Sequence, residues 1–365
     1  MTNLADALER ITAGYYRVTE SPALNAQREA WRRSRPLANL RVLDATPVFR
    51  NTVVKYQSLI AAGAELTVSA GALTPRDPAI CTALRKAGLP VWTEGVPEGA
   101  GFDLILDCAG CHSHVPSRYG YVELTRSGIH RYRAQAEKAP VFAADSGRIK
   151  MIETALGTGE SFLRAMKQLG FSDWPGRRVA VFGYGKVGHG IVFYLRRAGA
   201  AVTAIDRAAA LHRLPEGVTG IDADDRAAID AALADAYAAV SATGVRHAHA
   251  GRFDLAKLAA SDCLIANMGV EDEFGPEMPE TRVLNRKRPL NFILDEPTRM
   301  SYIETTMALH NMGALVLLGR RGEPGLIEPA RELEDDLLNI SCTQGEAGPE
   351  IRAMLAELKD MQKCC

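Results

Sequence analysis

Apolar runs of four to six residues alternate with amphipathic stretches along most of the chain, and they form two successive series. In the first series the hydrophobic spacing predicts strands at residues 40–44, 65–69, 89–92, 102–107 and 140–145, after a polar helical segment over residues 1–40. A long helix is predicted over residues 150–169. Apolar strands that alternate with helices are typical of a parallel sheet that is covered on both faces.

A second series starts after the turn at residues 174–176. It predicts strands at residues 178–183, 201–206, 220–221, 238–242, 263–267 and 290–295, and then a helix over residues 301–318. The pattern is that of an α/β protein with two domains, each a mostly parallel sheet flanked by helices. We expect one domain at residues 1–160 and a second at residues 161–299. Residues 300–365 would form a hinge helix and C-terminal helices that return to the first domain.

The composition agrees with an ordinary globular protein. The chain has 365 residues, 47% of them hydrophobic, and a formal net charge of −1, so its overall charge does not favour nucleic acid or an anionic membrane surface. No run approaches the roughly 20 apolar residues that a membrane span needs, and the first ten residues lack the basic start and apolar block of a signal peptide. Seven cysteines, an odd number, fit reduced thiols better than a disulfide framework. These features predict a cytoplasmic protein that binds neither nucleic acid nor a membrane.

A glycine-rich segment, residues 183–188, follows an apolar strand with the spacing G-x-G-x-x-G, and an acid, Asp206, ends the next strand 18 residues beyond Gly188. Glycines at these positions let the backbone turn tightly and approach a pyrophosphate, which the N-terminus of the following helix stabilises. Asp206 can accept both ribose hydroxyls and would repel a 2′-phosphate, whereas the adjacent Arg207 could accommodate one. The segment therefore predicts that the C-terminal half is a Rossmann domain that binds NAD in preference to NADP. The residues expected to contact the cofactor here are Gly183, Gly185, Lys186, Val187, Gly188 and Asp206.

Several further segments resemble the S-adenosylhomocysteine hydrolase family over most of the chain. Residues 183–190 are similar to that family's G-Y-G-D-V-G-K-G, residues 241–244 to its T-T-T-G, and residues 267–269 to its N-I-G. In the first half, the matching segments are residues 63–66, 86–91 and 145–161, which resemble G-A-E-V, K-A-G-I-P-V and D-S…G-x-x-E-S. The helix over residues 306–318 is similar to the family's returning hinge helix. The resemblance implies further cofactor contacts at Thr243, Gly244, Asn267 and Asn311.

This resemblance implies a reaction as well as a cofactor. Members of the family oxidise the 3′-hydroxyl of a nucleoside with tightly held NAD. The ketone acidifies the neighbouring C4′ proton, a base removes it, the thiol leaves, water adds, and NADH returns the hydride. The family's C-terminal K-P-x-x-Y-R-Y tail reaches the cofactor of a neighbouring subunit. The resemblance thus implies a homo-oligomer, although that tail has no counterpart in this chain.

The residues that carry the family's reaction are largely replaced. Pro47 stands at the position of the catalytic His, Cys108 at that of the catalytic Asp, and Ile149 at that of the active-site Lys. The other replacements are Leu124 and Glu153 for two acids, and Val270 and Met300 for two histidines. We therefore expect an NAD-dependent enzyme that takes a hydride from a secondary alcohol of a different small-molecule substrate, by net or transient oxidation. Two alternatives stay open: a catalytically silent NAD-binding regulator or scaffold, and a divergent S-adenosylhomocysteine hydrolase.

Four residues are candidates for the proton chemistry. Lys150 and Glu153 lie three apart on a predicted helix, where they form either a catalytic base with its partner or a solvated ion pair. Cys108 begins a C-x-x-C-H sequence, for which haem attachment, a redox pair and half a zinc site compete with an inert loop. No second cluster of zinc ligands has suitable spacing, so no metal site is expected. Asp295 ends a predicted strand, where it would orient a ligand or cap a helix before Pro297.

Three histidines lie near these positions. His247 and His249 follow the turn at Gly244, and they either cover that turn or relay protons. His310 lies on the predicted hinge helix and is expected to be a buried structural residue.

Overall fold

The computed structural model describes residues 3–71, 75–212, 214–320 and 322–363. The chain divides into two compact units: Met1–Met151 with Met300–Ile351, and Ile152–Arg299 with Arg352–Cys365. The predicted boundary at residue 160 falls inside a helix that contributes residues to both units.

The helices and strands follow the alternation in the sequence. In chain order the strands are β1 Arg41–Asp44, β2 Glu65–Ser69, β3 Val91–Trp92, β4 Leu104–Asp107, β5 Tyr121–Glu123, β6 Pro140–Ala143, β7 Arg178–Phe182, β8 Ala201–Asp206, β9 Thr219–Asp222, β10 Ala238–Ser241, β11 Leu264–Asn267 and β12 Gly325–Ile327. The α-helices are α1 Leu4–Thr12, α2 Pro22–Ser34, α3 Arg50–Ala61, α4 Pro78–Lys86, α5 Arg126–Ala136, α6 Arg148–Gln168, α7 Lys186–Arg197, α8 Ala208–Leu211, α9 Arg226–Ala234, α10 Leu255–Ala260, α11 Met300–Arg320, α12 Arg331–Gln344 and α13 Gly348–Lys363.

In the described part of the first unit, seven strands form one parallel sheet in the order β12-β6-β5-β4-β1-β2-β3. Strands β4, β5 and β6 are buried at every position, because helices cover both faces of the sheet. From β1 the chain proceeds to β2 and β3 on one side, and it continues with β4 on the other side. The carboxyl ends of β1 and β4 therefore form a topological switch point, the place where α/β sheets usually bind ligands.

The sheet of the second unit is also parallel, with the order β11-β10-β7-β8-β9 among the described residues. Its switch point lies between β7 and β10, whose register pairs Phe182 with Ser241. Apolar clusters fill both faces of this sheet; one contains Val181 and Ile191, and the other contains Ile205 and Ile265. The α/β fold class with two mostly parallel sheets is thus confirmed.

Most predicted strands are present, but the strand predicted at residues 290–295 is wrong. Leu290–Ile293 forms a turn of 3-10 helix, in which the amide of Phe292 donates to the carbonyl of Pro289 at 3.2 Å. Pro289 and Pro297 bracket this short apolar run, and a run of that length does not by itself distinguish a strand from a helical turn. Strands β5 and β12, of three residues each, were not predicted. Among the described residues, no helix combines the length and apolar character that crossing a membrane would require.

Candidate functional site

The glycine-rich loop leaves β7 at the switch point of the second unit. Gly183 has a φ of 86°, and a Cβ atom there would lie 2.5 Å from the carbonyl oxygen of Ala242. A Cβ atom on Gly188 would lie closer than 3.0 Å to the carbonyl oxygen of Gly183, so α7 can approach the loop only because residue 188 is glycine. By contrast, no protein atom lies within 4 Å of a Cβ atom built on Gly185. Two of the glycines close the turn, and the third faces open space.

The open position at Gly185 lies at the start of α7. Gly185 is the N-cap residue of this helix and has no side chain to accept hydrogen bonds from the first turn, where Lys186 and Val187 are located. The N-terminus of a helix carries unsatisfied amide groups and the positive end of the helix dipole. This end of α7 can therefore hold an anionic group such as a phosphate.

Gly190, the last glycine of the loop sequence, has a packing role. A Cβ atom there would lie closer than 3.0 Å to the carbonyl oxygen of Ala155 on α6. A Cβ atom on Gly159 would likewise lie closer than 3.0 Å to the carbonyl oxygen of Gly190. These glycines allow α6 and α7 to pack at short range inside the second unit.

The acid that ends β8 lies directly beside the glycine loop. One carboxylate oxygen of Asp206 accepts a hydrogen bond from the amide of Tyr184 at 2.6 Å, and the other accepts from the amide of Arg207 at 2.7 Å. The carboxylate is only partly buried. The glycine loop and Asp206, which the sequence predicted to act together, are therefore adjacent in space.

The turn after β10 is organised around Glu273, a carboxylate that sequence reasoning missed. One oxygen of Glu273 accepts from the amide of Gly244 at 2.7 Å. The other accepts from the amide and the hydroxyl of Thr243, both at 2.8 Å, and from the hydroxyl of Ser241. Gly269 lies against this carboxylate, where any Cβ atom would clash with it. The two cofactor-contact candidates Thr243 and Gly244 are thus held by one buried acid.

His249 extends this network. Its Nε2 lies 2.6 Å from the hydroxyl of Ser241. Because that hydroxyl donates its proton to Glu273, Nε2 must be the donor in this contact. Burial among Phe182, Phe253 and Phe274 lowers the pKa of His249 to about 4, so the ring is neutral near pH 7.

The two asparagines predicted to contact the cofactor lie in different units. Asn267 ends β11, and its amide group donates to the carbonyl oxygens of Gly269, Glu271 and Lys287. Asn311 lies on α11 in the first unit, where its amide donates to Gln27 at 2.9 Å. Among the predicted cofactor contacts, those on the glycine loop, Asp206 and the turn at residues 243–244 come together at one sheet edge.

The candidate bases differ in their surroundings. Lys150 and Glu153 both lie near the start of α6, the lysine partly exposed in the first unit and the glutamate buried in the second. Asp295 is exposed in the segment after the 3-10 turn and does not end a strand. Cys108 follows β4 and is buried, and burial raises the pKa of its thiol strongly, so the thiol stays protonated.

The C-x-x-C-H segment is a structural loop around another buried acid. Its two middle residues, Ala109 and Gly110, have positive φ, and their amides donate to the carboxylate of Glu123 at 3.0 and 2.9 Å. Burial also raises the pKa of the Cys111 thiol, to about 11, which does not suit a redox pair. His112 lies 2.9 Å from the hydroxyl of Ser69. Within the described residues no cluster of three His, Cys, Asp or Glu side chains could hold a metal ion.

A buried ion pair at the switch point of the first unit was also missed. The ammonium group of Lys55 contacts the carboxylate of Asp44 at the end of β1, and it lies 3.2 Å from the hydroxyl of Thr46. Lys55 and Asp44 are fully buried. His310 lies in the same unit, and burial together with the charges of Lys55 and Lys150 lowers its pKa to about 3. The expectation that His310 is buried is confirmed.

No protein-family model matches the chain. It is 25% identical to adenosylhomocysteinase from Aeropyrum pernix in a gapped alignment of 348 positions, which covers 82% of this chain and 83% of the relative. It is 24% identical to S-inosyl-L-homocysteine hydrolase from Methanopyrus kandleri in a gapped alignment of 396 positions, which covers 94% of this chain and 91% of the relative. The chain is therefore similar to adenosylhomocysteinases over most of its length, at a low identity.

Among solved structures, the A chain of dipicolinate synthase from Bacillus subtilis matches with a TM-score of 0.51 and 13% identity. The match covers 78% of this chain and 98% of that chain, and it concerns the fold alone.

Proposed function

We propose that the chain is an NAD-dependent enzyme, built like adenosylhomocysteinase, that takes a hydride from a secondary alcohol of another substrate. The observation that carries this proposal is the edge of the second sheet, where the open position at Gly185 lies beside the partly buried carboxylate of Asp206. An anion-binding helix terminus next to a ribose acceptor is the arrangement that a dinucleotide requires.

The residues present fit NAD. The pyrophosphate would lie against the backbone at Gly185 and the first turn of α7, at Lys186 and Val187. Asp206 would accept the ribose hydroxyls. The turn at Thr243 and Gly244 would lie on the other side of the glycine loop from Asp206. When bound, NAD supplies the acceptor for a hydride.

Oxidation of an alcohol also needs an acceptor for the hydroxyl proton. Lys150 and Glu153 are our first candidates, because both lie at the start of α6, where Lys150 is next to the position of the family's active-site Lys and Glu153 is at the position of its following Asp. Cys108 is a weaker candidate because its thiol stays protonated. Asp295 is weaker too, because it is exposed and follows a 3-10 turn where a strand was predicted.

A substrate other than S-adenosylhomocysteine follows from the replaced positions. Pro47 has no ionisable side chain where the family has its His, and Cys108 is protonated where the family has its Asp. The reaction is then a net oxidation, or a transient oxidation that allows elimination next to the ketone. We also propose that the protein works as a homo-oligomer in the cytoplasm, with a small molecule as its partner.

The test is a substrate screen of the purified protein. Nucleosides, polyols and thioethers, including S-adenosylhomocysteine, are added in turn, and NADH is followed at 340 nm. We expect NADH formation with at least one alcohol, and loss of that signal in Lys150→Met or Glu153→Gln. Turnover of S-adenosylhomocysteine would show a divergent hydrolase instead.

A catalytically silent NAD-binding regulator is the second candidate function. The observations that favour it are the protonated thiol of Cys108 at the position of the family's catalytic Asp and the replacement of its catalytic His by Pro47. It predicts NAD binding with no NADH formation in the same screen, so the two candidates are separated by one experiment.

A further inference from the structure

We propose that Glu273 supplies the negative charge that pairs with the oxidised nicotinamide ring, so that this protein binds NAD+ in preference to NADH. The inference rests on the proposed function, because it assumes that NAD binds at the edge of the second sheet. Glu273 acts here as a positioning residue, through its charge and through the turn that it holds.

Four hydrogen-bond donors converge on the carboxylate of Glu273. It is fully buried, and its two oxygens accept hydrogen bonds from four groups: two amides and two hydroxyls. His249 donates to the hydroxyl of Ser241, and that hydroxyl donates to Glu273, so both hydrogen bonds are directed toward the carboxylate.

This buried charge has no cationic partner among the described residues. No Lys, Arg or His side chain of that part of the chain lies within ion-pair distance of Glu273, and the nearby Lys287 is paired with Asp272 at 3.2 Å. His249 is neutral because burial lowers its pKa to about 4. A buried, unpaired charge is costly, so the position favours a bound cation.

The position of the turn beside the cofactor loop favours the nicotinamide ring as that cation. Glu273 holds the turn after β10, and Gly183 of the cofactor loop lies against the same turn at Ala242 and Thr243. The oxidised nicotinamide ring carries a positive charge, whereas the reduced ring is neutral. A fixed anion at this edge therefore stabilises bound NAD+ more than bound NADH.

The experiment compares dissociation constants for NAD+ and NADH, measured by calorimetry, in the wild-type chain and in Glu273→Gln. Glutamine keeps the size of the side chain and removes its charge. We expect the ratio of the NAD+ constant to the NADH constant to rise by about ten- to a hundredfold, which is the effect of one unit charge at short range in an effective dielectric constant of about 20. A ratio unchanged within about twofold would overturn the proposal.

Two variants separate charge from structure. Ser241→Ala removes one hydrogen bond to Glu273 and keeps the charge, so it should change both constants by the same factor. Glu304→Gln removes a buried carboxylate of the first unit, and it should leave the ratio unchanged. If Ser241→Ala changes the ratio as much as Glu273→Gln does, the charge is not the cause and the proposal is wrong.

A measurement on the unmodified protein covers the case in which Glu273→Gln does not fold. The wild-type chain should bind NAD+ at least about tenfold more tightly than NADH. Equal or tighter binding of NADH contradicts the inference and leaves the proposed function intact. Absence of binding to either form contradicts the proposed function itself.

Discussion

A Cβ atom on Gly188 would lie closer than 3.0 Å to the carbonyl oxygen of Gly183, a separation that real Cβ atoms essentially never show. The first turn of α7 thus packs directly on the backbone of the loop that precedes it. We predict that Gly188→Ala forces this helix away from β7 and destabilises the chain by about 1–3 kcal/mol. Urea unfolding followed by circular dichroism measures the loss. An unfolding midpoint equal to that of the wild type would show that the close approach is not needed.

Gly185→Ala should weaken cofactor binding and leave the stability unchanged, in contrast to Gly188→Ala. Its φ of −77° suits alanine, and no protein atom lies within 4 Å of the added Cβ atom, so the fold should keep its stability. The methyl group would instead occupy the space through which a pyrophosphate approaches the backbone. We expect a loss of at least about tenfold in affinity for NAD+, a fall of about 1.4 kcal/mol in binding free energy. Unchanged affinity in a normally folded variant would place the phosphates elsewhere.

Asp206 should set the choice between NAD and NADP. Its carboxylate accepts a hydrogen bond from the amide of Tyr184 in the loop, and the adjacent Arg207 is exposed. We predict that Asp206→Ser weakens binding of NAD+ and strengthens binding of NADP+, reversing the preference. Binding constants for both cofactors check this, with Arg207→Ala added to the serine variant as the control that should abolish the gain. A variant that loses NAD+ without gaining NADP+ would argue against the role of Arg207.

The buried acid Glu304 should make stability depend on pH. It accepts hydrogen bonds from the amides of Ala23 and Leu24 and from the hydroxyl of Ser341, and burial raises its pKa to about 7. Because this value lies above that of the unfolded chain, the folded state binds more protons between about pH 4.5 and pH 7. The contribution of Glu304 to the free energy of unfolding is fully present below about pH 4.5. It falls by up to roughly 3 kcal/mol as the pH rises to about 7.

Glu304→Gln tests this dependence. The variant has no proton to lose, so its free energy of unfolding should change less between pH 5 and pH 8 than that of the wild type. Urea titrations at the two pH values give the comparison. Parallel pH profiles for the two proteins would show that another group titrates in this range.

Much of the fold follows from the periodicity of the sequence. The apolar runs that became β1, β4, β7 and β10 are long enough, and apolar enough, to indicate buried parallel strands. Strand β12 spans only Gly325–Ile327, and a three-residue strand carries too short a pattern to be recognised. The prediction of a strand at residues 290–295 was wrong for a related reason. Hydrogen bonds to the carbonyl groups of Pro289 and Asn291 determine the conformation of this segment, and its apolar content does not.

The cofactor loop could be predicted from the sequence, but the buried acid that holds the neighbouring turn, Glu273, could not. The spacing from Gly183 to Asp206 lies within one strand–helix–strand unit, so the sequence alone indicates which groups meet. Glu273 is 32 residues from Ser241 and lies in the acidic segment at residues 271–273, which resembles a solvated loop. Only the folded chain shows that this acid is buried. The same holds for Lys55 and Asp44, whose contact joins α3 to the end of β1.

The most direct test of the central claim is calorimetric titration of the purified wild-type chain with NAD+, after any cofactor carried through purification has been released and identified. We predict one NAD+ site in each chain, binding of NADP+ that is weaker by at least about tenfold, and a fall of at least about tenfold in NAD+ affinity in Gly185→Ala. No binding of NAD+ at millimolar concentration, or binding that Gly185→Ala leaves intact, would contradict it.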